Sequence, residues 1–292
     1  MPREIRTVGV VGLGTMGAGI AQVCVQAGVE TVGRDVSEEL NERARARIDH
    51  YLGRGVEKGR LTPGDKAAAL GRLITTTELS DLAGCDLVVE AIVEDLDAKR
   101  ELFHDLEGIV AEEAVLATNT SALSVTEIAE AVEHPDRVVG MHFFNPAPVL
   151  RLVEVVRTKR SAEDAVEAVF VFAERVGKEP IRCDDTPGFV VNRILIPLLN
   201  DCVRVLDEAG VSPEDLDTAM TLGVGWPIGP CALIDLIGVD VHVHASEAIH
   251  AALGEDRMSP PERLVRMRDE GLLGRKSGRG FFAYDRAAPD RP

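Results

Sequence analysis

Six residues, Gly12-Leu13-Gly14-Thr15-Met16-Gly17, restrict the fold of this chain more than any others. They follow an apolar run at residues 5–11 of the kind buried in parallel sheets. They precede residues 18–27, which read as a helix ended by Gly28. Each glycine answers a separate need. Gly12 allows the tight turn, Gly14 lets a pyrophosphate approach the backbone, and Gly17 lets helix and strand pack closely. The new helix also presents free N–H groups and a positive dipole end to the phosphates. A second strand at residues 30–34 runs into Asp35, 23 positions beyond Gly12. An acid there accepts hydrogen bonds from a ribose 2′-hydroxyl and repels a 2′-phosphate, which favours NAD. Arg34 can meet a 2′-phosphate, so NADP stays open at this point.

The alternation continues. Strands are expected at residues 86–92, 115–118, from Val138, and at 179–182, with helices at 97–110, 125–132 and 161–176. This order predicts an α/β fold with a doubly wound, mostly parallel sheet of the Rossmann type. Asp184-Asp185-Thr186-Pro187-Gly188 breaks the pattern and sets the expected boundary, with residues 1–185 as the dinucleotide domain and 186–292 as a second domain. The second domain reads as all-helical. Residues 190–209 form a long helix ended by Gly210, and Ser212-Pro213-Glu214-Asp215 is a helix start of cap, proline and acids. Helices near residues 232–253 and 261–270 follow.

His142 and Glu154 point to chemistry. Two β-rich runs flank a turn with two prolines, Pro146 and Pro148. In the second run Leu150, Leu152, Glu154 and Val156 share a face, because strand side chains alternate. A carboxylate on an apolar face is unfavourable unless paired. A histidine on the neighbouring strand suits it, and an imidazole oriented by a carboxylate is a general acid/base. On spacing alone a buried structural ion pair is an equal reading.

With −17 formal charge, the chain disfavours nucleic acid as a partner. No long uncharged apolar run suggests a membrane span, and no hydrophobic signal region follows Met1. Cys24, Cys85, Cys183, Cys202 and Cys231 are scattered, which suits reduced thiols in the cytoplasm. His242 and His244 diverge on a helix, so no metal is expected there. Within residues 39–60, Arg43, Arg47, His50, Arg54 and Lys58 recur at helical spacing beside an apolar face of Ala44, Ile48 and Leu52. A basic stripe in so acidic a chain invites an anion such as coenzyme A, although a solvated face is the commoner meaning of charge runs.

The ordered motifs identify a resemblance. They are residues 12–22 from Gly12 to Gln22, Glu90-Ala91-Ile92-Val93-Glu94, Asn119-Thr120-Ser121-Ala122-Leu123-Ser124, and the His142 stretch. Asp185-Thr186-Pro187-Gly188-Phe189-Val190-Val191-Asn192-Arg193, Gly225-Trp226-Pro227-Ile228-Gly229-Pro230 and residues 274–282 complete the set. Across nearly its whole length the chain resembles the short-chain L-3-hydroxyacyl-CoA dehydrogenases, and within them the bacterial 3-hydroxybutyryl-CoA dehydrogenases.

The resemblance implies oxidation of a 3-hydroxyacyl-CoA by NAD, with His142 as acid/base and Glu154 as its partner. It implies that Ser121 and Asn192 hold substrate oxygens, in a cleft between sheet and helical domain. It places NAD contacts at Gly12, Gly14, Gly17, Asp35, Glu94, Lys99 and Asn119, and coenzyme A contacts at Arg54 and Lys58. It also implies a homodimer through the helical domain. The family more often has lysine where Arg54 stands, and hydrophobic residues where Gly33 and Arg34 stand. Related dehydrogenases of the 6-phosphogluconate or 3-hydroxyisobutyrate kind use a lysine acid/base, which His142 with Glu154 argues against. An L-gulonate dehydrogenase or λ-crystallin-like protein, and a non-catalytic NAD-binding protein on the same fold, are the alternatives.

Overall fold

A computed structural model describes residues 3–284. The chain divides between Thr186 and Pro187 into two compact units. The first opens with β1 (Thr7–Val11), α1 (Thr15–Gln26), β2 (Glu30–Arg34), α2 (Glu38–Glu57), α3 (Pro63–Gly71) and β3 (Leu73–Thr76). It continues with β4 (Leu87–Glu90), α4 (Leu96–Glu107), β5 (Val115–Thr118), α5 (Val125–Ala129), β6 (Val138–Phe143), β7 (Leu152–Arg157), α6 (Glu163–Arg175) and β8 (Glu179–Asp184).

The described strands form one sheet in the order β3-β2-β1-β4-β5-β6-β7-β8. Neighbours run parallel except β6 and β7, which form the antiparallel pair. Every residue of β4, β5 and β6 is buried, as expected of strands covered on both faces. Order reverses at β1 and β4, so the ligand edge lies at the carboxyl ends of these strands.

The helix pattern is amphipathic where the sequence is. Along α2, Asn41, Ala44, Ile48 and Leu52 are buried, while Ser37 caps the first turn by accepting from Leu40 N. Tyr51, beside that face, stays exposed. Two elements were absent from the sequence reading, α3 and β3. Thr62 and Asp65 start α3 with a reciprocal capping box, and Pro63 occupies its first position. The strand β3 is a four-residue edge with only Leu73 and Thr76 buried, too short for a clear alternation.

The second unit comprises α7 (Val191–Ala209), α8 (Pro213–Gly223), α9 (Pro230–Ile237), α10 (Val239–Leu253) and α11 (Glu262–Asp269). The expected helix near 232–253 is therefore two. Gly238 at φ 105° separates them, a backbone setting that a side chain would strain. Leu199, Val203, Ile234, Val239, Val243 and Leu264 make the core of this unit. Buried Asp235 accepts from Phe281 N, Phe282 N and the Tyr284 hydroxyl, each at 3.0 Å, and so anchors the segment at 274–284.

Candidate active site

The glycine loop is a tight turn between β1 and α1. Gly12 has φ 87°, and a Cβ there would meet the Ala91 carbonyl oxygen at 2.7 Å. A Cβ on Gly17 would lie 1.7 Å from the Gly12 carbonyl oxygen, so helix and turn touch only because it is absent. Gly14 differs. A Cβ there would meet nothing within 4 Å, and its φ of −60° suits any residue. The protein itself has no need of glycine at 14, whereas a pyrophosphate lying against that backbone would. The first turn of α1 has no side-chain cap and no acidic residue, so its N–H groups suit an anion. These residues fit a dinucleotide. Asp35 closes the loop from β2, accepting from Leu13 N through Oδ2 and from Val36 N through Oδ1, both at 2.7 Å. Arg34 donates from Nε to the Thr77 carbonyl at 3.0 Å.

His142 and Glu154 face each other directly across β6 and β7. Nδ1 lies 2.8 Å from Glu154 Oε2, with the histidine 4% and the glutamate 0% exposed. Leu150, expected on the same face, instead precedes β7 and is exposed, because the strand begins only at Leu152. The Phe144 ring packs on the imidazole with centroids 4.6 Å apart. Asn119 ties the ends of β5 and β6, its Oδ1 accepting from Phe143 N at 2.8 Å, beside His142.

Ser121 lies on a loop that Glu94 holds in place. Glu94 Oε1 accepts from the Thr120 hydroxyl at 2.6 Å, Ser121 N at 2.8 Å and Ala122 N at 3.2 Å. Burial raises the Glu94 pKa, but Lys99 and these donors together outweigh it and bring the carboxyl below its ordinary value. Lys99 is only 1% exposed. Its ammonium lies 2.5 Å from Glu90 Oε1 and 3.2 Å from Glu94 Oε2. Glu90 also accepts from Ile92 N and the Thr118 hydroxyl, each at 2.7 Å. The far end of the loop is held by Asp185, which accepts from Ser124 Oγ, Val125 N and Thr126 N.

Several of these residues carry no sequence signal for their role. Glu90 lies within the strand expected at 86–92 and Asp185 within the turn-rich boundary at 184–188, where nothing local marks either carboxylate as an anchor. Lys178 gave no signal. It is nearly buried, and its ammonium donates to the carbonyls of Ala147 at 2.5 Å and Leu150 at 2.9 Å, pinning the turn between β6 and β7. Burial lowers its pKa.

Arg54 lies in the last turn of α2 and Lys58 at its C-cap, one turn apart. Asn192 lies in the first turn of α7, in the second unit. Among the described residues no group of three His, Cys, Asp or Glu could hold a metal ion. His242 is buried, with Nε2 2.9 Å from Asn200 Oδ1, and burial lowers its pKa to about 4. It is a neutral packing residue.

A glycine cradle shaped for a pyrophosphate and a carboxylate-held imidazole, carried on one doubly wound sheet, are parts that a nicotinamide-dependent dehydrogenase requires. The profile of the 3-hydroxyacyl-CoA dehydrogenase NAD-binding domain matches residues 7–186, and that of the 3-hydroxyacyl-CoA dehydrogenase C-terminal domain matches residues 188–284. The chain belongs to the 3-hydroxyacyl-CoA dehydrogenase family and is an NAD-dependent oxidoreductase. It is 45% identical over 276 residues to a probable 3-hydroxybutyryl-CoA dehydrogenase of Deinococcus radiodurans, covering 94% of this chain and 99% of that one. The crystal structure of FadB2 from M. tuberculosis is similar with a TM-score of 0.95 and 43% identity, covering 97% of this chain and 100% of that one. That of (S)-3-hydroxybutyryl-CoA dehydrogenase PaaH1 from Ralstonia eutropha gives 0.93 and 41%, with coverage of 97% and 100%.

Proposed function

We propose that the chain interconverts short-chain (3S)-3-hydroxyacyl-CoA and 3-ketoacyl-CoA, with 3-hydroxybutyryl-CoA as the working substrate. The observation that carries this is the buried 2.8 Å contact between His142 and Glu154 on a sheet that also holds the dinucleotide loop. A carboxylate only accepts, so Glu154 keeps the hydrogen on Nδ1 and leaves Nε2 as the nitrogen that exchanges a proton. His142 takes the proton from the 3-hydroxyl during oxidation and returns it to the 3-oxygen during reduction. Bound NAD supplies the two-electron acceptor. Glu154 stabilises the imidazolium formed in between. Ser121 holds a substrate oxygen by its hydroxyl; Glu94 and Lys99 are assigned to the NAD site by their motif, and with Glu90 they also act on the reaction by fixing the Ser121 loop. Asn192 is assigned the same kind of oxygen contact on the strength of its motif. Arg54 and Lys58 bind the phosphates of coenzyme A, for which arginine is geometrically well suited.

Exposed Ile194, Leu198 and Val205 recur at helical spacing along α7, and this stripe supports a homodimer through the second unit. Light scattering on the purified protein tests it. Five unpaired cysteines favour a reducing, cytoplasmic location. No helix among the described residues is long and apolar enough to cross a membrane.

The decisive assay mixes the protein with acetoacetyl-CoA and NADH, then NADPH, and follows nicotinamide absorbance. Turnover with NADH and acetoacetyl-CoA is expected, and longer 3-ketoacyl-CoA esters then set chain length. Silence with every thioester and activity on L-gulonate would replace this reading with the sugar-acid one.

A further inference from the structure

The basic stripe of α2 does not act as one surface. Arg43 is taken by Glu39, one turn earlier, at 2.6 Å. Arg54 and Lys58 stand together at the C-terminal end of the helix. Arg47 turns towards α1 instead, and its Nη1 donates to the Thr15 hydroxyl at 3.2 Å. Thr15 is the first residue of α1 and directly follows Gly14. The guanidinium is therefore held beside the glycine backbone that has open space in front of it. Both Arg47 and Thr15 are exposed, and no carboxylate of the described residues pairs with Arg47.

We propose that Arg47 serves the dinucleotide rather than coenzyme A: with the Thr15 hydroxyl it grips the pyrophosphate of NAD at the start of α1. A hydroxyl has one hydrogen and two lone pairs. Accepting from Arg47 leaves the Thr15 hydrogen to donate to a phosphate oxygen. The planar guanidinium offers further N–H groups to the same anion, and charge-assisted contacts of this kind are the stronger ones. A local cation also offsets the repulsion that a chain of net charge −17 exerts on an incoming polyanion. The contrast drawn with Arg54 rests on the coenzyme A reading above.

The test titrates Arg47→Ala with NADH by nicotinamide fluorescence, without substrate, and with ADP-ribose by displacement. ADP-ribose keeps the pyrophosphate and lacks nicotinamide. Both ligands are expected to weaken about tenfold, the size of one charge-assisted hydrogen bond at a partly solvated site. The difference from wild type should shrink as salt is raised. The KM for acetoacetyl-CoA at saturating NADH should not move. Thr15→Val should weaken NADH as well, and the double variant should lose less than the product of the two singles. Arg54→Ala should show the opposite pattern, a raised acetoacetyl-CoA KM with unchanged NADH binding. NADH and ADP-ribose affinities within twofold of wild type in Arg47→Ala would overturn the proposal. So would a loss confined to NADH, or a raised acetoacetyl-CoA KM in place of weakened NADH. If only the Arg54→Ala expectation fails, the coenzyme A reading falls and the assignment of Arg47 stands.

Discussion

Replacing Glu154 by glutamine tests the proposed acid/base pair most directly. The substitution keeps the shape of the side chain and removes its charge. In the wild type, a fully buried carboxylate lies 2.8 Å from Nδ1 of a nearly buried imidazole. When His142 gains a proton, the two charge centres attract by about 4 kcal/mol at roughly 4 Å and an effective dielectric near 20. Glutamine forfeits this attraction and recovers a neutral hydrogen bond of about 1 kcal/mol. The net loss of about 3 kcal/mol corresponds to a fall in kcat on the order of 10²–10³-fold. A glutamine that turns its NH2 towards Nδ1 also selects the wrong tautomer, which deepens the loss. NADH affinity should stay within about twofold of wild type, because Glu154 lies on β7 and the glycine loop follows β1, with three strands between them in the sheet. Single-turnover reduction of acetoacetyl-CoA, fluorescence titration with NADH and urea unfolding separate chemistry, binding and fold. A folded variant whose kcat stays within threefold of wild type would refute the argument and reduce the pair to a structural contact.

Other perturbations probe the supporting parts. Gly14→Ala should fold with an unchanged Tm yet bind NADH at least tenfold more weakly, whereas Gly17→Ala should lose much of its stability, since its Cβ would overlap the Gly12 carbonyl; a Gly14→Ala protein with normal NADH affinity would show that nothing lies against that backbone. Lys99→Met leaves the buried Glu90 without its cation and should cost about 3–5 kcal/mol in urea unfolding; a loss below about 1 kcal/mol would mean that the carboxylate is satisfied by Ile92 N and Thr118 alone. Burial lowers the His242 pKa from 6.5 to about 4, so the unfolded chain binds the extra proton between these values. Its contribution is fully present above pH 6.5 and is lost as pH falls towards 4, by at most about 3 kcal/mol. His242→Gln should flatten the stability profile across that window, and an identical slope in the variant would contradict the assignment.

Much of the architecture was legible because its signals are local. The glycine turn, the strand ending at Arg34, Gly28 and Gly210 as helix stops and the Ser212–Asp215 start each depend on a few neighbouring residues. The start of α3 was local too, in Thr62-Pro63-Gly64-Asp65, but the short edge strand after it carries almost no alternation. The site was legible in part. A carboxylate on an apolar face announced that Glu154 needs a partner, and a histidine on an adjoining run was available. That they meet directly depends on the register of β6 against β7, where a slip of β7 by one residue would send Glu154 to the face opposite His142.

Chain pattern alone determined the alternating and helical halves, the glycine cradle with its acid, and the residue types able to carry a proton, since backbone preference and apolar periodicity act over a few residues. Tertiary structure decided which charges meet. Lys99 reaches Glu90 across the turn that joins β4 to α4, Arg47 reaches Thr15 because α2 packs beside α1, and Lys178 reaches Ala147 because β8 joins β7. A charge acts through space with an energy set by distance and burial, and neither is written in the spacing of residues along a chain.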